Sequence, residues 1–223
     1  EKIASDKSVL LKKKIKYSQG ILQAYNYLLS NIDEFFVIGQ GLWSPWYVGA
    51  TMKDLDKTYG KDRVIDCPVS EYATTGAAVG ASIAGYKPMI VHPRIDFMLL
   101  AVDQIVTQAA KWRYMFGGKS KAPVTIRGII NRGGEQGAQH SQSLHSWFSH
   151  IPGLRVVMPS NALDANGLLR TAIRCDDPVI FLEPKHLYRQ TYNKAAYPGP
   201  DHMIPLGKGR KVMEGEDLTL ITY

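Results

Sequence analysis

Glu71 is the first residue here with both the chemistry and the setting for catalysis. It closes the run Asp66–Cys67–Pro68–Val69–Ser70–Glu71 and opens a stretch of small residues that reads as a helix. A glutamate in a first helical turn is favoured by the helix dipole even when it only meets solvent. At the edge of a dry surface a carboxyl can instead hold a proton, because burial raises its pKa above about 4.3. His140 sits after a glycine-rich stretch, where an imidazole either donates a proton, stabilises charge or is simply solvated. His140, His145 and His150 stand five residues apart, off the i, i+4 spacing of a helical metal pair, so no zinc site is expected. Arg94 lies three residues before Phe97. It is either a surface arginine or a clamp for a carboxylate or phosphate on a substrate. Cys67 and Cys175 lack the paired spacing of metal or redox motifs and read as reduced thiols in a cytosol-like compartment.

These residues need a scaffold, and the chain alternates short β-branched runs with longer helical patterns, the form of a parallel sheet wrapped by helices. Strands are predicted over 35–38, 63–66, 89–91, 124–127, 154–158 and 179–182. Helices are predicted over 15–30, 71–85, 97–114 and 163–174. Residues 131–142 read as a flexible loop and 192–209 as a linker, with a new strand over 218–223. The 223 residues hold 45% apolar and 21% charged residues, enough for a buried core. No apolar run approaches the roughly 20 residues of a bilayer span, and the charged N-terminus shows no signal peptide. The net charge of +7 is densest at Lys12, Lys13 and Lys14. With no interleaved aromatics and no nucleic-acid motif, it reads as a solvated basic face. Neither nucleic acid nor membrane is expected as a partner.

The motifs carry a resemblance. Asp66–Cys67–Pro68–Val69–Ser70–Glu71, Asp103–Gln104–Ile105 with Gly117–Gly118, and Ala138–Gln139–His140–Ser141–Gln142–Ser143 come first. Pro152–Gly153–Leu154–Arg155–Val156–Val157–Met158–Pro159 and Pro178–Val179–Ile180–Phe181–Leu182–Glu183–Pro184–Lys185 follow. In that order and spacing they resemble the β subunits of the first component of 2-oxo acid dehydrogenase complexes, of the pyruvate, branched-chain 2-oxo acid and acetoin types. The resemblance implies a three-layer α/β/α fold with a mostly parallel sheet: a transketolase-like pyrimidine-binding domain over 1–191. Residues 192–223 would then be a linker and the first strand of a C-terminal domain that is largely missing.

It also implies thiamine diphosphate, held between α and β chains in an α₂β₂ heterotetramer that passes an acyl group to a lipoyl acyltransferase component. Enzymes of this cofactor hold the diphosphate and magnesium through a G-D-G motif. Gly39–Gln40–Gly41 and Gly207–Lys208–Gly209 come nearest here and lack the acid that meets the metal, so an α subunit must supply that half. By the same resemblance Glu71 is the acid at the cofactor's aminopyrimidine, Phe97 stacks on that ring and His140 lies near the reacting centre. Potassium would be held by the backbone carbonyls of Val124, Ala172, Cys175 and Asp177. The location implied is cytoplasmic, or the mitochondrial matrix in a eukaryote.

Two positions depart from the pattern. Gln40 stands where the family usually has an acid, and an amide carries neither negative charge nor a mobile proton. Arg94 stands in a stretch commonly acidic or uncharged. Both bear on the substrate. They leave open a transketolase-like or non-oxidative thiamine-diphosphate reaction and, in a different class, a cofactor-free interaction protein that kept the fold.

Overall fold

Runs of alternately facing apolar residues become strands because both faces of the sheet are covered. The computed structural model describes residues 14–197, 199 and 201–221. Its strands are β1 (Lys14–Ile15), β2 (Phe35–Gly39), β3 (Val64–Asp66), β4 (Lys87–His92), β5 (Thr125–Ile130), β6 (Arg155–Val157), β7 (Val179–Pro184) and β8 (Ala195–Ala196). Its α-helices are α1 (Tyr17–Asn31), α2 (Leu55–Tyr59), α3 (Glu71–Ile83), α4 (Ala110–Met115), α5 (His145–Ser149) and α6 (Ala162–Arg174). Six strands form one parallel sheet in the order β3-β2-β4-β5-β7-β6, and β1 pairs antiparallel with β8 beside it.

The period-two alternation divides the core. Val37, Met89, Val91, Val179 and Phe181 pack with α1 and α6 on one face. Ile90, Ile126, Ile130, Ile180 and Leu182 pack on the other with Ala78 and Val79 of α3, Ile105 and Phe148. The result is three layers, α/β/α. Helices α1 and α6 approach closely because position 20 is glycine: a Cβ there would lie 2.6 Å from the carbonyl oxygen of Ala162. Asn166 secures the same contact by donating to the Gly20 carbonyl at 2.9 Å. The start of α6 is capped by the Asn161 side chain, which accepts from the Asp164 N–H at 2.9 Å. No helix among the described residues is long and apolar enough to cross a membrane.

The predicted helix over 97–114 is not one α-helix. It is a 3₁₀ turn, Ile95–Ala101, then a π stretch, Asp103–Ala109, then α4. The buried side chains Ile95, Met98 and Ala101 recur every three residues, and Ile105 and Ala109 continue every four. Three per turn suits a 3₁₀ coil. Helix α1 begins at Tyr17 rather than residue 15, because Lys14 and Ile15 are drawn out to pair with Ala196 and Ala195. The expected strand over 218–223 is not formed in its described part: 218–221 is exposed and without a ladder partner, and a strand needs one for its hydrogen bonds. Residues 222 and 223, like Lys12 and Lys13 of the basic run, lie outside the described residues.

Candidate active site

The chain runs from β2 outward to β3 and from β4 in the opposite direction to β5, although β2 and β4 are neighbours. Such a reversal of strand order opens a crevice at the carboxyl ends of the strands, where open α/β sheets bind ligands. Gly39 ends β2 and His92 ends β4, so Gln40 and Arg94 are delivered to this edge. Strand β3 ends at Asp66, whose carboxylate accepts the Gly41 N–H at 2.6 Å, and Cys67 N–H bonds Gly39 O at 3.0 Å. These ties set the turn after β2 against the first residue of α3, Glu71.

Glu71 is buried, with 7% of its surface exposed. Gln40 Nε2 donates to its Oε1 at 3.1 Å, and Oε2 takes no hydrogen bond from the described residues. Beneath it, Thr75 Oγ1 and His92 Nε2 share a hydrogen bond of 3.2 Å. Burial pulls the His92 pKa down to about 4, against the opposing pull of the Glu71 carboxylate, so this imidazole is neutral at pH 7. Sequence reasoning missed His92, since the strand predicted over 89–91 stops one residue before it; the histidine in fact closes the buried strand β4.

Alongside lies a cavity of about 400 Å³ whose walls include Tyr47, Arg94, Phe97, His140, Lys185 and Tyr188. Phe97 and His140 meet edge to face, with centroids 5.2 Å apart at 87°. Asp96 holds the histidine loop there by accepting from Gln142 N at 3.2 Å and Gln142 Nε2 at 2.8 Å. Arg94 Nε donates to Gln136 Oε1 at 3.1 Å, and Asn131 Nδ2 donates to the same oxygen at 3.0 Å. The Tyr47 hydroxyl is buried with no protein partner among the described residues.

The wall behind Tyr188 is an ion pair that sequence reasoning passed over. Arg127 and Glu183 are both fully buried; Arg127 Nη2 donates to Glu183 Oε2 at 2.9 Å, Nε donates to Oε1, and Tyr188 OH donates to Oε2 at 2.8 Å. Arg127 Nη2 also reaches Thr51 Oγ1 at 2.7 Å, and Thr51 Oγ1 donates to Val48 O at 2.8 Å. That brace holds Val48, Gly49 and Ala50 at φ of 41°, 70° and 60°, strain on the order of 1–3 kcal/mol for the non-glycines. At position 49 a Cβ would lie 2.2 Å from the Tyr188 ring. The signal was present: charged residues inside two otherwise apolar strands must pair.

The structure therefore gathers Arg94, Phe97 and His140 in one cavity and pairs Gln40 with Glu71 at the neighbouring strand edge, outside that cavity's lining. Val124, Ala172, Cys175 and Asp177 lie elsewhere, at the amino edge of the sheet before β5 and β7 and at the end of α6. Among the described residues no cluster of three His, Cys, Asp or Glu side chains is arranged for a metal. A larger groove of about 950 Å³ runs past Ala110, Arg113, Pro152 and Arg155. Its acid, Asp177, is held by Arg113 at 2.6 Å and Arg155 at 2.7 Å, so size does not mark the chemistry here.

The chain is 48% identical over 162 residues to the β subunit of acetoin:2,6-dichlorophenolindophenol oxidoreductase of Cupriavidus necator, covering 73% of this chain and 47% of that one. It is 40% identical over 193 residues to the pyruvate dehydrogenase E1 β subunit of Rhizobium meliloti, covering 86% and 41%. It is 35% identical over 209 residues to the 2-oxoisovalerate dehydrogenase β subunit of Bacillus subtilis, covering 94% and 63%. The chain thus spans about half the length of these curated relatives. Among solved structures, a split-gene transketolase in an inactive β4 tetramer superposes with a TM-score of 0.69 at 19% identity, over 92% of this chain and 61% of that one. That likeness shows the fold alone. The model of the transketolase pyrimidine-binding domain matches residues 13–191, and the chain belongs to that family.

Proposed function

We propose that this chain is the pyrimidine-holding part of a β subunit in a thiamine-diphosphate-dependent 2-oxo acid dehydrogenase, active with an α subunit that holds the diphosphate and magnesium and passing the acyl group to a lipoyl carrier. The observation that carries this reading is Glu71: a buried carboxyl at the strand edge, one oxygen fixed by Gln40 and the other open. The residues present fit a cofactor with an aromatic ring bearing a basic nitrogen. Glu71 Oε2 offers a proton-holding oxygen, Phe97 a half-buried ring face, and Tyr47 an unsatisfied buried hydroxyl.

When bound, thiamine diphosphate supplies the electron sink for decarboxylation. The chain's own residues manage protons and position. Gln40 can donate to Oε1 but cannot accept a proton, so a proton shared with a ring nitrogen resides at Oε2 of Glu71. His140, fixed against Phe97 by the Asp96–Gln142 tie, stands ready to donate a proton or stabilise charge on the substrate. Arg94 lines the same cavity and brings a positive charge to its wall. A monovalent cation on the carbonyls of Val124, Ala172, Cys175 and Asp177 completes the reading. Val124 O and Ala172 O each accept one backbone N–H, which leaves a second lone pair on each.

The test is Glu71→Ala in the reconstituted full-length assembly, expected to lower turnover by roughly 10²–10⁴-fold. Near-normal turnover would remove the assignment. Gln40 favours a second reading: with an amide in place of the usual acid, the proton network differs, and a non-oxidative or transketolase-like reaction is the alternative. Thiamine-dependent decarboxylation without acylation of a lipoyl acceptor would select it.

A further inference from the structure

We propose that Arg94 and Lys185 form a subsite for a non-reacting anionic group, so that the substrate is a 2-oxo acid carrying a carboxylate or phosphate at its far end. This rests on the decarboxylation reading above and adds a substrate class to it.

Both side chains line the cavity that holds Phe97 and His140. Among the described residues neither forms an ion pair. Arg94 donates to the amide oxygen of Gln136 and to Pro93 O, neutral acceptors that orient the guanidinium and leave its charge uncompensated. The acid nearest Lys185 along the chain, Glu183, is already committed to Arg127 and Tyr188. Asp96, two residues from Arg94, is tied to Gln142 and makes no ion pair among the described residues. Burial, then the guanidinium groups of Arg94 and Arg189, lower the Lys185 pKa, which places the two cavity cations within each other's field. Like charges converging on a half-enclosed wall are relieved by an anion between them.

The reacting carboxylate is a poor candidate for that anion. Its charge disperses as carbon dioxide leaves, so two cations gripping it would hold the ground state more tightly than the transition state. An anion at the far end of the substrate keeps its charge throughout, and gripping it orients the reacting end without opposing the step.

The test compares kcat/KM of the reconstituted full-length assembly on three 2-oxo acids of equal length, ending in methyl, carboxylate or phosphate. An anionic end is expected to be preferred by about tenfold or more, and the better of the two anionic arms identifies the group. Lys185→Gln is expected to remove most of that preference. Equal or better use of the methyl end overturns the subsite while leaving decarboxylation intact. A second readout needs no turnover: Trp46, 83% exposed, borders the same cavity, and inorganic phosphate should change its fluorescence saturably. Trp46→Phe identifies the signal, and Lys185→Gln should weaken phosphate binding by about tenfold. A response that does not saturate, or that Lys185→Gln leaves unchanged, overturns the subsite. Saturable, Lys185-dependent phosphate binding without turnover of any 2-oxo acid would instead sink the decarboxylation reading and leave the anion site standing.

Discussion

At the scale of single residues, His92 links the site to stability. Its folded pKa of about 4 lies below the unfolded value of roughly 6.5. Between those values the unfolded chain binds more protons, so stability rises with pH. The contribution is complete above the unfolded pKa and is lost as pH falls toward the folded one, at most about 3 kcal/mol. Denaturant unfolding from pH 4.5 to 7.5 should show this slope in the natural chain and a smaller one in His92→Gln; equal slopes would remove the assignment. Glu71 and His140 were nameable in advance because each sits in a short ordered motif, Phe97 because the resemblance gives its position a role, and Arg94 because it departs from that pattern. Lys185 stood in a motif without a role, and Tyr47 stood in none. Their relevance comes from chain crossings that bring β7 and the turn after β2 to one cavity, and no local spacing encodes such a meeting.

Between residues and the whole lie the elements that hold the site open. The Arg127–Glu183 pair links β5 to β7, braces the left-handed turn at 48–50 through Thr51 and fixes Tyr188 in the cavity wall. Glu183→Ala would strand a buried guanidinium and should cost about 3–5 kcal/mol of unfolding free energy; a loss below about 1 kcal/mol, the scale of a surface pair, would contradict the brace. At the opposite edge, replacing potassium by sodium should lower the thermal midpoint of the assembly if the carbonyls at Val124, Ala172, Cys175 and Asp177 hold the cation, and an unchanged midpoint would argue against that site. Strand runs were readable because both sheet faces are covered and the runs are apolar. The 95–115 segment was misread because apolar spacings of three and four share one composition, and only packing decides whether the coil tightens to 3₁₀ or widens to π.

For the molecule as a whole, the switch of strand order between β2 and β4 explains why residues distant in sequence converge, and why Glu71 sits at an edge rather than in a closed pocket. Val69 and Tyr72, flanking Glu71, are 77% and 55% exposed, an apolar surface that the proposed α subunit would cover. The parallel, doubly covered sheet was legible from the alternation of runs. The strand expected over 218–223 is not formed over 218–221, the part that is described. The most direct measurement is a structure of the full-length assembly loaded with thiamine diphosphate. The expected result is Glu71 Oε2 within hydrogen-bond reach, roughly 2.6–3.2 Å, of the aminopyrimidine ring nitrogen, while Gln40 still holds Oε1. A carboxyl bonded to Gln40 alone, with the ring seated elsewhere, would contradict it.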